Sequence, residues 1–82
     1  MSLSKLIHST RYLEFWLVKE LPKTNVYFVV NRSKDTHLGE IRWFPTWRQY
    51  TFMPEPETIW NKDCLRQVVE FLEEIERERR KQ

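Results

Sequence analysis

"GEIRWFPTWRQY", residues 39–50, decides how this chain folds. Two runs of aromatic and β-branched residues flank Pro45-Thr46. Such runs read as strands, and a proline takes the early position of a tight turn. With Pro45-Thr46 as the whole loop, Phe44 lies opposite Trp47, Trp43 opposite Arg48, and Arg42 opposite Gln49. Ile41 then meets Tyr50, Glu40 meets Thr51, and Gly39 meets Phe52. Directly opposed side chains share a face. One face of the hairpin therefore carries Ile41, Trp43, Tyr50 and Phe52, with Arg48 stacked on Trp43. Gly39, the only glycine, leaves room for the ring of Phe52. The other face carries Glu40, Arg42, Gln49 and Thr51, with Phe44 and Trp47 at the tip. Alternation of this kind marks a half-buried antiparallel sheet, so the first face is the expected core.

A helix is expected to cover that core. From Asn61 to about Arg79 the apolar positions are Cys64, Leu65, Val68, Val69, Phe71, Leu72 and Ile75, the spacing of one helix face. Asn61 is a good N-cap, and Asp63 suits the positive end of the helix dipole. Glu73–Arg77 and Glu76–Arg80 are four-apart pairs in the favourable order. The tail, residues 76–82, has no apolar residue and is expected to fray. "MPEPETIW" before the helix reads as a loop, because two prolines in three positions suit neither helix nor strand.

Upstream, "NVYFVVN" reads as a strand with Val26, Phe28 and Val30 on one face, and "RSKDT" as a polar turn. "LEFWLVKEL", residues 13–21, reads as a first strand joined through Pro22-Lys23, with a helix as the competing reading. The expected fold is α+β: an antiparallel meander of three to four strands with a C-terminal helix on one face. The chain is read as a single domain, with residues 1–10 as an N-terminal segment.

A single helix covers one face of such a sheet. With Phe15 and Leu17 inward, Trp16 and Val18 point to the open face, joined by Tyr27, Val29, Leu38, Phe44, Trp47 and Met53. That apolar area exceeds what monomers usually expose. Its expected cover is Leu3, Leu6 and Ile7, a second copy of the chain, or a partner.

Composition narrows the classes. Eighty-two residues allow one domain at most, and the aromatic content gives so short a chain a sizeable core. No apolar run is long enough for a membrane span, and the N-terminus lacks a leader-like pattern. One cysteine, Cys64, excludes an internal disulfide framework, so a cytoplasmic location is expected. Net charge is +2, too little by itself to argue for a polyanion. The first 53 residues hold eight Lys/Arg against four Asp/Glu, and the remainder six against eight, so the aromatic half is the basic half.

Residues 38–72, "LGEIRWFPTWRQYTFMPEPETIWNKDCLRQVVEFL", carry Leu38, Gly39, Ile41 and Trp43, then Trp47, Arg48, Tyr50, Phe52 and Pro54. Cys64-Leu65 follows at the opening of the helix and Phe71-Leu72 within it. This order and spacing resembles an uncharacterised family of short prokaryotic and phage-associated proteins. The resemblance implies one small α+β domain and carries no assigned activity.

No catalytic constellation emerges. His8, His37 and Cys64 lie in three different elements, and Cys64 reads as a small apolar residue in the first helical turn. Glu55 and Glu57 read as solvated loop carboxylates. A single glycine excludes a glycine-rich phosphate loop. No metal, cofactor or small-molecule substrate is inferred, and the chain is not expected to be an enzyme. It reads as a small binding module that associates with a protein, or with a second copy of itself, through the aromatic sheet face. The expected contact residues are Trp16, Tyr27, Arg42, Phe44, Trp47 and Gln49, the residue types that interface cores favour. The alternative is nucleic-acid binding through Arg42, Trp47, Arg48 and Gln49, with Arg32 and Lys34 nearby. Glu14 and Glu40 dilute that patch, and phosphate-driven affinity needs several cations.

Overall fold

The computed structural model describes residues 4–80. Five strands form one antiparallel sheet in the order β1-β2-β3-β4-β5. They are β1 (Lys5–Ser9), β2 (Leu13–Glu20), β3 (Asn25–Asn31), β4 (His37–Phe44) and β5 (Gln49–Pro54), followed by the helix α1 (Lys62–Arg80). The α+β class and the meander agree with the sequence reading; the sheet has five strands rather than three or four. The additional strand is β1, part of the N-terminal segment that stood beside a second copy or a partner among the expected covers of the open face. All five of its residues are exposed, so no hydrophobic alternation marks it. Leu6 and Ile7 extend the edge of the sheet, and Leu3 lies outside the described residues.

Turn chemistry connects the strands. Thr10 caps the β1–β2 turn, its Oγ1 accepting from Leu13 N–H at 3.0 Å. Asn31 Oδ1 accepts from Ser33 and Lys34 N–H at 3.0 and 3.1 Å, an Asx turn. Between β4 and β5 the loop is four residues, Pro45 to Arg48, so Phe44 faces Gln49 and Trp43 faces Tyr50. Phe44 C=O accepts from Trp47 N–H at 3.1 Å and from Arg48 N–H at 2.9 Å, and Arg48 closes the loop at φ 54°. A two-residue loop would need positive φ at or near the Pro45 position, where proline is locked negative. The register therefore differs from the expected one by two residues. A two-residue shift preserves every face, so Ile41 and Tyr50 are still buried on the helix side, with Trp43 and Phe52 packed against them.

The core lies between that face and α1. It joins Leu13, Phe15, Leu17, Tyr27, Val29, Ile41 and Tyr50 to Val68, Phe71 and Ile75. Phe71 stacks on Phe15 at 4.3 Å between centroids and meets Tyr27 edge-on at 5.1 Å. Gly39 sits opposite Pro54 rather than Phe52, yet its role holds. A Cβ there would stand 2.7 Å from Met53 O, 2.8 Å from Phe52 Cε1 and 2.9 Å from Pro54 Cα.

The helix begins as its sequence predicts, with Cys64 N–H donating to Asn61 Oδ1 at 2.8 Å. Its end differs. Residues 76–80 remain helical instead of fraying. The Arg79 guanidinium lies 4.0 Å over the Trp43 ring, the place expected for Arg48, and Glu76 Oε2 accepts from Tyr50 N–H at 2.9 Å. These contacts, with buried Ile75, hold the last turns on the sheet. Arg77 pairs with Glu74 at 4.0 Å, not with Glu73. Leu65 and Val69, read into the apolar stripe, are 45% and 49% exposed because one flat sheet meets only a narrow strip of the helix.

Gly39→Ala is expected to lower stability by about 1–3 kcal/mol, since two of the three clashing atoms are backbone and cannot rotate away. Urea titration measures this; an unchanged midpoint would mean that β4 and β5 are less closely apposed than described.

Candidate interaction surface

The face away from α1 is built by the same pairings. The ladder sets Leu6 against Trp16, Trp16 against Phe28, Phe28 against Glu40, and Glu40 against Met53. This row crosses all five strands on the uncovered side. Trp16 is half-buried, and its Nε1–H donates to Glu14 Oε1 at 3.1 Å. Phe28 meets the His37 ring edge-on at 4.4 Å. Val26, beside Tyr27 on β3, is buried yet outside the main core cluster.

At the hairpin tip, Phe44 is half-buried and meets the Trp47 ring edge-on at 4.9 Å. Trp47 is 64% exposed, a large area for a tryptophan in water. Gln49 is exposed opposite Phe44. Arg42 is exposed and ion-paired to Glu40 at 3.1 Å. The pair is exposed enough to contribute only about 0–1 kcal/mol, but it sets a carboxylate against the Arg42 charge. Thr51 Oγ1–H donates to Arg42 C=O at 3.2 Å.

The structure thus gathers Trp16, Arg42, Phe44, Trp47 and Gln49 on the open side or its tip. Tyr27 is corrected: it is 6% exposed, in the core under Phe71. Phe15 pairs with Val29 and Leu17 with Tyr27, so Tyr27 and Val29 share the inward face of β2, and Phe28 takes the outward place. The five consecutive apolar residues Val26 to Val30 carry no alternation from which this could be read. Leu38 is corrected too. A bulge between the Val29 and Val30 pairings lets Leu38 pack against the main core, and His37 takes its place beside Phe28.

On the helix side, a groove of about 450 Å³ opens between the β2–β3 turn and the second half of α1, lined by His8, Lys23, Asn25, Tyr27, Tyr50 and Glu74 among others. Asn25 organises its floor: its backbone N–H donates to Tyr50 Oη at 3.1 Å and its Nδ2–H to Tyr27 Oη at 3.2 Å. Burial pushes the Tyr27 hydroxyl above the usual tyrosine range; the Asn25 hydrogen bond opposes the shift, and Tyr50 and Glu20 add to it. His8 stacks on Phe71 at 6.1 Å on this side, whereas His37 lies on the other. Cys64 is half-buried at the margin of the core. Among the described residues no group of three or more His, Cys, Asp or Glu is placed to hold a metal ion. Nor is any helix among them long and apolar enough to cross a membrane.

Fold and surface together define a small sheet-and-helix domain with one covered and one uncovered aromatic face. The chain is 31% identical over 75 residues to the "Uncharacterized 9.3 kDa protein" of Acholeplasma phage L2, a match spanning 90% of this chain and 96% of that protein. It belongs to the family of that phage protein. No family model matches the chain, and no solved structure does.

Two outcomes are expected in stability measurements. Trp43→Ala should cost about 2–3 kcal/mol, somewhat less than a fully buried ring, whereas Trp47→Ala should stay within about 0.5 kcal/mol; the reverse order would mean the faces are exchanged. Raised in the folded state, the Tyr27 pKa contributes stability below the unfolded value of about 10 and loses it as pH rises beyond. Tyr27→Phe should therefore flatten the alkaline fall of stability, and an unchanged slope would contradict the burial of the hydroxyl.

Proposed function

We propose that this chain is a small non-enzymatic binding module that contacts protein through the open aromatic face and the hairpin tip. The observation that carries the reading is Trp47, 64% exposed beside Phe44. It stands at the end of a face where Leu6, Trp16, Phe28 and Met53 are aligned across the sheet. Rings and methionine are what interface cores collect, and rigid aromatics dominate binding energy when they enter a pocket. Trp16, Arg42, Phe44, Trp47 and Gln49 are the proposed contacts, with Phe28 in the position first given to Tyr27. Nucleic-acid binding is the weaker reading. The Arg42 charge is held by Glu40, which leaves exposed Arg48 as the cation at the hairpin tip, and phosphate-driven affinity needs several.

The test is a photo-reactive benzoylphenylalanine at position 47 of the full chain, irradiated in the cells that make it. The expected product is a covalent adduct to protein that resists nuclease and is reduced when Phe28→Lys is also present. An adduct that nuclease removes, or no adduct at all, would contradict the reading.

A further inference from the structure

The two edges of the sheet are unlike. On β5, the Tyr50 N–H points away from β4, into the carboxylate of Glu76 at 2.9 Å. Strand alternation then makes Phe52 and Pro54 the other outward positions, and proline has no N–H to offer. Among the described residues, the helix and the sequence together leave Phe52 as the one unoccupied outward donor of that edge. Edge strands are commonly blunted in this way against unwanted pairing. On β1 there is no equivalent. Among the described residues, no loop backbone or side chain bonds the backbone of Lys5–Ser9 from the side away from β2. All five residues are exposed, with Leu6 and Ile7 at 44% and 42%.

We propose that the free edge of β1 pairs antiparallel with β1 of a second copy, joining two five-stranded sheets into one of ten strands. The inference rests on the reading that the chain works by association, and it places the contact between copies on the edge, leaving the aromatic face free. Self-complementarity argues for a second copy over an unrelated strand. Leu6 lies opposite Trp16 on the open face, and the bulge before His8 turns both Ile7 and His8 toward the helix-side groove. A two-fold axis between Ile7 and His8 sets Leu6 against Ser9 of the second copy, Ile7 against His8, and Lys5 against Thr10. Every such pair lies on a matching face, and no like charges are directly opposed. The bulge, which would spoil pairing with a regular strand, fixes this register. The dimer would also bring the two Leu6–Trp16–Phe28 rows together into one longer apolar strip.

Sedimentation equilibrium of the full chain tests this. The expected result is a reversible species of twice 10.2 kDa at high micromolar concentration. Ile7→Lys should return it to 10.2 kDa, because a lysine would then face His8 and stand near its own symmetry mate. Trp47→Ala should leave the dimer intact. Amide hydrogen exchange on the unsubstituted chain gives a second readout that does not depend on Ile7→Lys folding: the β1 amides should gain protection with concentration while those of β5 do not. A wild type that is monomeric throughout, a dimer that survives Ile7→Lys, or β1 amides indifferent to concentration would overturn the inference. A dimer lost in Trp47→Ala and kept in Ile7→Lys would put the copies face to face, sinking the edge contact and sparing the face. A monomer that still forms the protein adduct at position 47 would do the same.

Discussion

The ring of Phe71, stacked on Phe15 at 4.3 Å and edge-on to Tyr27 at 5.1 Å, is the contact on which the rest of the architecture depends. It is the point where the helix meets the two central hairpin strands. Burying such a ring contributes about 1.5–3 kcal/mol by area alone, and each aromatic pair adds about 0.5–1.5 kcal/mol. In an 82-residue chain those are large fractions of the whole. Because β2 and β3 are paired residue for residue from Leu13–Asn31 to Leu17–Tyr27, docking Phe71 on Phe15 and Tyr27 also settles where the side chains along that stretch point.

The open face follows from that one docking. Trp16 and Phe28 are the outward neighbours of inward residues, and a single helix cannot cover both sides. The chain therefore keeps an aromatic surface in water at some cost in solubility, a cost that makes sense where the surface has an occupant. The edges show a similar division. Glu76 and Pro54 close one side of the sheet while the exposed strand Lys5–Ser9 leaves the other open. The helix thus has two tasks: its apolar stripe makes the core, and Glu76 and Arg79 on its last turns complete the far hairpin by capping Tyr50 N–H and Trp43.

Much of this is legible in the residues themselves. The hairpin around Pro45, the faces of Ile41, Trp43, Tyr50 and Phe52, the N-cap at Asn61 and the periodic helix all announce themselves, because each has a local signal. The parts that escape have none. In Val26 to Val30 every position is apolar, so only the partner strand decides which residues face inward, and Tyr27 and Phe28 exchange roles. The bulge that turns Leu38 to the core is a tertiary adjustment with no composition mark. Strand β1 is exposed on both faces and shows no alternation. The helical order of residues 76–80 comes from contacts with Trp43 and Tyr50, not from anything apolar in "ERERR". Of the six residues named for the surface, Trp16, Arg42, Phe44, Trp47 and Gln49 lie on the open side or its tip, and Tyr27 lies in the core.

The assignment of the two faces is tested most directly by a nuclear Overhauser spectrum of the aromatic protons. Cross-peaks are expected from the Phe71 ring to those of Phe15 and Tyr27, with none from any helix side chain to Phe28. A cross-peak joining Phe71 or Ile75 to Phe28, with Tyr27 silent, would mean that the helix covers the opposite face.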